Sequence, residues 1–165
     1  MRSGQYDGTI FHRVISNFVA QGGGYDQKFQ LKDTRPPIPN ESGNGLSNKR
    51  LAVGLARSEG PHSGNAQFYL NLGDNEDLDP TPLRWGYTVF GRAVGGLEVV
   101  DRIGRVATGA LASWQKDAPL EPVVIRHMEI VAPLADAAAP PARPAVSPAP
   151  AAAPAAAPAV ASPAR

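Results

Sequence analysis

The sequence predicts a mainly β fold, a closed antiparallel barrel or a sandwich, carrying one short helix. Three observations lead there. Short runs rich in β-branched and aromatic residues alternate with clusters of Gly, Pro, Asn and Asp, the pattern of strands and turns. Glycine is abundant, 17 in 165 residues, with clusters such as Gly22-Gly23-Gly24 between the runs. Only one stretch has the three-residue apolar spacing of a helix. Strand-rich, glycine-rich chains with little helix form barrels or sandwiches.

In chain order, Thr9–Ile15 (TIFHRVI) reads as the first strand. Strict alternation would place Phe11, Arg13 and Ile15 on one side of it. Gly22-Gly23-Gly24 reads as a loop, as does 40–48. Leu51–Ala56, Ala66–Leu70, Tyr87–Phe90 and Val123–Val131 are further strand candidates. Gly95-Gly96 precedes Leu97, Val100 and Ile103 at three-residue steps, and Gly104 follows, which predicts the helix.

Composition divides the chain. Residues 133–165 are almost entirely Ala and Pro and hold more than half of the prolines. Such a segment buries too little apolar surface to offset its ordering entropy, and its prolines break helix, so an extended, disordered tail is expected. The predicted folded domain is residues 1–132. Net charge is +1 with no dense Lys/Arg block, which argues against a nucleic-acid or anionic-membrane surface. No apolar run approaches the roughly 20 residues of a membrane helix. Cysteine is absent, so neither disulfides nor thiolate chemistry is available.

Three segments stand out chemically. Phe11–Ile15 places a cationic Arg13 inside an apolar strand, followed by Phe18, Gln21, Gly22 and Gly23. A strand arginine ordinarily faces solvent or pairs with a carboxylate. Ala66–Leu70 sets an amide, Gln67, beside aromatics, and Trp85–Gly91 supplies another aromatic strand; each alone is ordinary core patterning. Competing sites find little support. His12, His62 and His127 have no ligand spacing for zinc, and Gly22–Gly24 lacks the Lys-Ser/Thr of a phosphate loop. Ser63 lacks a nucleophile-elbow context. The acidic run Asp74, Glu76, Asp77 and Asp79 lacks EF-hand spacing and reads as a solvated loop. No metal or cofactor is expected.

Together the segments FHRVISNFVAQGG (11–23), AQFYLNLGDNEDLD (66–79) and GYTVFGR (86–92), followed by the GGLEVVDRI helix, resemble cyclophilin-type peptidyl-prolyl cis-trans isomerases. The order and approximate spacing match over residues 4–131. Ala56-Arg57-Ser58 and Pro61-His62-Ser63 make the bacterial members the nearest likeness. The resemblance implies a cyclophilin-like antiparallel β-barrel. It also implies that Arg13 is the catalytic arginine and that Gln21 positions it and touches substrate. Phe18 would floor the proline pocket, with Val19, Tyr69 and Leu78 as walls. Ala56 and Arg57 would pair with the bound peptide, and Gln67 and Tyr87 would line the groove. Val19 stands where Met is common and Tyr69 where Phe is usual, which adds a hydroxyl that needs a partner if buried. Asp77 replaces a Trp and Tyr87 a His of the eukaryotic members, so weak cyclosporin binding is expected.

These residue types suit amide rotation. The X–Pro bond turns slowly because resonance opposes it, a barrier of roughly 18–20 kcal/mol. No nucleophile is needed. An apolar slot can hold the proline ring while a guanidinium donates to the prolyl nitrogen, whose lone pair returns in the twisted state. The expected substrates are unfolded or flexible proline-containing polypeptides, acted on by a monomer. A catalytically impaired proline-peptide binder is the alternative. The family usually begins with two strands and a helix ahead of the first segment, roughly 30–40 residues. The barrel is therefore expected to be incomplete at the N-terminus, and Met1 to be an internal start within a longer reading frame. Any signal peptide would then lie upstream, leaving cytoplasm and periplasm both open.

Overall fold

The structure is a computed structural model that describes residues 4–131. The Pro/Ala-rich segment from residue 133 lies outside the described residues. Among the described residues, eight strands and one α-helix follow in order: β1 (Thr9–Ile15), β2 (Val19–Asp26), β3 (Ala52–Leu55), β4 (Phe68–Asn71), β5 (Val89–Arg92), α1 (Leu97–Ile103), β6 (Thr108–Leu111), β7 (Trp114–Pro119) and β8 (Val123–Ile125). A 3-10 turn, Glu76–Leu78, precedes β5. Six strands form one antiparallel sheet in the order β5-β3-β4-β2-β1-β8, and β6 and β7 form a separate hairpin. The edge strands β5 and β8 are not paired with each other. The mainly β architecture with one short helix is as expected, and the six-stranded sheet is open.

The sheet has two distinct faces. Phe11, Val14, Ala20 and Phe68 form the core on one, with Leu70, Leu72, Ile103, Val106, Val123 and Ile125 packed against them. Burial of such side chains contributes roughly 1.5–3 kcal/mol each. Helix α1 supplies Ile103 to this cluster and buries Val100. The opposite face carries the candidate site.

Two expectations are corrected here. Gly22-Gly23-Gly24 is not a loop but the middle of β2, buried in the centre of the sheet. The glycines are there because both faces are already occupied. A Cβ on Gly22 would meet the Ile10 carbonyl oxygen and the Phe11 ring at 3.0 Å, and one on Gly23 (φ +85°) would meet the Tyr6 ring at 2.9 Å. A loop reading of glycine misses close backbone approach, its other structural use. Second, Phe11 and Arg13 do not share a face. Phe11 pairs with Gly22 and Arg13 with Gln21, so His12 is an extra residue in the ladder. The bulge turns Phe11 into the core with Val14 and leaves Arg13 on the other side.

Strand boundaries also shift. The candidates at Leu51–Ala56 and Ala66–Leu70 correspond to β3 and β4, trimmed or displaced by one or two residues. Tyr87–Phe90 begins too early, because Tyr87 and Thr88 belong to the loop that faces the site. Of Val123–Val131 only Val123–Ile125 pairs in the sheet. The rest is fastened to Asp7, whose carboxylate accepts from the Met128 N–H at 3.0 Å and lies 2.9 Å from His127 Nδ1. Helix α1 occupies the range its periodicity indicates.

Candidate active site

The site is built on one row of cross-strand neighbours. Arg13 of β1 pairs with Gln21 of β2, Gln21 pairs with Tyr69 of β4, and Tyr69 pairs with Gly54 of β3. Directly opposite residues project to the same face. Arg13, Gln21 and Tyr69 therefore emerge side by side, away from the core. Gly54 leaves room in the row, since a Cβ there would stand 2.2 Å from the Tyr69 ring carbon Cζ.

Beside this row lies an apolar notch. Val19, Ala56 and Tyr69 are buried together, and Phe18, Leu78 and Tyr87 pack on them. Phe18 leaves the tight connection between β1 and β2, where Asn17 takes a left-handed conformation (φ 58°) that Asn accepts more readily than most residues. Its carbonyl oxygen is held twice, by the Leu72 N–H and by Asn75 Nδ2, each at 2.8 Å. The Leu78 carbonyl accepts from the Tyr87 N–H at 2.8 Å, tying the 3-10 turn to the loop that carries Tyr87.

The hydroxyl of Tyr69 has the partner that burial demands. It donates to Asn48 Oδ1 at 2.6 Å, and burial pushes its pKa up, with Tyr87 and Asp79 adding to the shift. Asn48 is fully buried and itself fixed by Asp79, whose Oδ1 accepts from the Asn48 backbone N–H and Nδ2, both at 2.8 Å. The acidic run is thus tied into the fold. Asp79 also accepts from Ser47, Asp74 accepts from the Arg50 N–H, and Glu76 lies 3.3 Å from Lys49 Nζ.

A polar cleft adjoins the notch, with Ala56 lining both. Its walls include Gln21, Lys32, Thr34, Arg57, Asn65 and Gln67. Gln21 Nε2 donates to Gln67 Oε1 at 3.0 Å. Gly24 makes space for Gln67, for a Cβ there would approach its side chain to 2.6 Å. Arg57 acts as a clamp: it donates to the carbonyls of Ser58 and Glu59 on one side and to those of Trp85 and Gly86 on the other. Its guanidinium carbon stands 4.4 Å over the Tyr87 ring, a cation–π contact. The Ala56 N–H is already engaged by the Gln67 carbonyl at 2.9 Å.

All ten sequence-predicted site residues thus lie along one surface. Arg13 is at its margin rather than among the cleft-lining residues. Its guanidinium faces Asp117 of β7, with Arg13 Nε 3.9 Å from Asp117 Oδ2. Behind it His12 is buried among Tyr25 (ring centroids 4.7 Å apart) and Trp114 (5.6 Å). Burial, with help from the Arg13 charge, lowers the His12 pKa to about 4, so the ring is neutral at pH 7. Sequence reasoning missed Asp117 and the hairpin that carries it, because its Gly, Ala, Lys, Asp and Pro are depleted in strands. The one available signal was Trp114, a large apolar ring without a helical or strand period around it.

A sequence family described as cyclophilin type peptidyl-prolyl cis-trans isomerase/CLD matches residues 1–130. The chain belongs to that family. Among cyclophilins, it is 51% identical over 134 residues to peptidyl-prolyl cis-trans isomerase cyp18 of Streptomyces antibioticus, covering 79% of this chain and 80% of that one. It is 44% identical over 132 residues to peptidyl-prolyl cis-trans isomerase B of Escherichia coli, covering 78% and 80%. These bacterial relatives are more similar to it than ppi1 of Schizosaccharomyces pombe, which is 33% identical over 136 residues. A cyclophilin from Cryptosporidium parvum, crystallised in the presence of the dipeptide Ala-Pro, superposes with a TM-score of 0.61 over 80% of each chain at 20% identity, which supports the cyclophilin fold.

Proposed function

We propose that this cyclophilin catalyses cis-trans rotation of X–Pro bonds in unfolded or flexible polypeptides, with Arg13 as the group that acts on the reacting amide. The observation that carries the reading is the row of Arg13, Gln21 and Tyr69 on one face, with the notch of Phe18, Val19, Leu78 and Tyr87 alongside. The proline ring enters the notch. Its desolvated amide then lies against the row, and a terminal nitrogen of Arg13 donates to the prolyl nitrogen as the bond twists. That contact is stronger in the twisted state than in either planar isomer, so it lowers the barrier rather than only binding substrate. Gln21 stands beside the arginine on the same face and, linked to Gln67, presents amide groups to the peptide backbone. Ala56 and Arg57 edge the groove where the chain beyond the proline runs.

The test is an isomerisation assay on a proline-containing tetrapeptide, comparing the chain with Arg13→Ala. A loss in kcat of about a hundredfold with peptide binding retained is expected. Equal rates would refute the role of Arg13. Slow rates in the parent chain with peptide binding intact would favour the binding-module reading instead.

Two finer features belong to the same proposal. The protein acts as a monomer, which sedimentation at micromolar concentration tests. Its cyclosporin affinity is weak because Asp77 offers a carboxylate where a flat ring would cover the ligand. Asp77→Trp is expected to tighten binding in a calorimetric titration, and an unchanged affinity would refute that cause.

A further inference from the structure

The isomerase reading leaves one group beside the reacting arginine unassigned. Asp117 comes from the β6–β7 hairpin, outside the strands that carry the motifs, yet its Oδ2 stands 3.9 Å from Arg13 Nε, each side chain 23% exposed. Two features of the hairpin aim it there. The ladder pairs Gly109 with Ala118 and Leu111 with Trp114, so Ala110 alone opposes Gln115, Lys116 and Asp117. Asp117 also takes a left-handed conformation, φ 65°, one that Asp accepts more readily than most residues and that turns the chain locally. Bulges of this kind redirect a side chain out of the ladder. The hairpin is held against β1 by Trp114, whose ring packs on His12 (5.6 Å), Tyr25 (4.9 Å) and Phe29 (5.8 Å). His12 is the residue before Arg13, so anchor and aimed carboxylate act on adjacent positions of one strand.

The geometry of the contact has a chemical consequence. The carboxylate approaches Nε, the inner nitrogen, and no side chain among the described residues hydrogen-bonds the two terminal nitrogens. Gln21, the cross-strand neighbour, gives its amide nitrogen to Gln67 instead. Contacts of this kind are often long without substrate and tighten when the site is filled.

We propose that Asp117 is the positioning residue of Arg13: its carboxylate fixes the guanidinium through Nε and leaves the terminal nitrogens free for the prolyl nitrogen. The proposal rests on the isomerase reading. Asp117 touches no substrate, so its loss acts on the rate of the twisting step and not on peptide binding.

The test uses the full chain with Asp117→Asn, which keeps the shape and removes the charge. In the isomerisation assay kcat is expected to fall about tenfold with KM within about twofold. Asp117→Glu should recover most of the rate. In an Arg13→Ala background, Asp117→Asn should cost nothing further. A second readout does not need activity: in 15N NMR with a proline peptide bound, the Arg13 Nε–H is expected to exchange slowly with water in the parent and rapidly in Asp117→Asn. An unchanged or raised kcat, an equal fold-loss in the Arg13→Ala background, or an unaltered Nε–H exchange rate would each overturn the proposal. A parent chain no faster than Arg13→Ala would instead overturn the isomerase reading, while the Nε–H signal still decides whether Asp117 holds Arg13.

Discussion

His12 is 2% exposed, and its Nδ1 has no hydrogen-bond partner among the described residues. Burial lowers its folded-state pKa to about 4, against 6.5 in an unfolded chain. Between those values the unfolded chain binds a proton that the folded chain refuses. Stability is therefore full above about pH 6.5 and falls as pH drops towards 4, on the order of 3 kcal/mol for this group. Thermal unfolding followed from pH 7 to pH 4 should show that loss, and His12→Phe should flatten the curve. A variant with the same acid sensitivity as the parent would assign it elsewhere. His127 has the opposite tendency, raised by Asp7, so its contribution is present at low pH and fades as pH rises. It is exposed, and its effect is correspondingly small. Tyr69 is the other residue whose polar atom decides a substitution. Tyr69→Phe removes the donor to Asn48, yet Asn48 Oδ1 still accepts from Asn71 Nδ2 at 3.3 Å. The expected cost is about 1 kcal/mol in chemical denaturation, with peptide affinity little altered.

Among the elements, β2 does most to join core and site. Its Val19 and Gln21 face the groove, Ala20 faces the core, and its glycines let neighbouring rings and the Gln67 side chain close on the backbone. Gly24→Ala is therefore a test of how the groove is shaped. The added methyl must displace Gln67, which breaks its bond with Gln21. We expect KM for a proline peptide to rise several-fold, with destabilisation of about 1–3 kcal/mol from overpacking. An unaltered KM would show that the Gln21–Gln67 pair plays no part in binding. The elements also show where reading the sequence succeeded. Helix α1 was legible because its apolar spacing is local and glycines flank it. The three glycines of β2 were not, because what excludes a side chain there is Phe11, Phe68 and Gln67, residues distant in sequence. The β6–β7 hairpin was invisible for a related reason: its strands have little intrinsic preference and are held by long-range contacts, among them Trp114 on His12 and Tyr25 and the burial of Ala118.

For the molecule as a whole, the sheet and its two faces form one unit within residues 4–131. We propose that residues 1–132 constitute the isomerase domain. A chain ending at Ala132 is expected to keep kcat/KM and the thermal midpoint of the full chain, the latter within about 2 °C. A drop in either would place part of the working domain beyond that point.

The sequence by itself determined the strand-rich class, the helix at Leu97–Ile103, the family and the set of residues from Arg13 to Tyr87 that gather on one surface. These follow from short-range patterns and from motifs whose residues and spacing are specific. Which face each side chain takes was settled only in three dimensions. The His12 bulge separates Phe11 from Arg13, the partner of Tyr69 is an asparagine in a distant loop, and Asp117 reaches Arg13 from a hairpin over a hundred residues later. A bulge shifts the two-residue period by one, and a long-range contact has no period at all. Both depend on which strands the folded chain sets side by side.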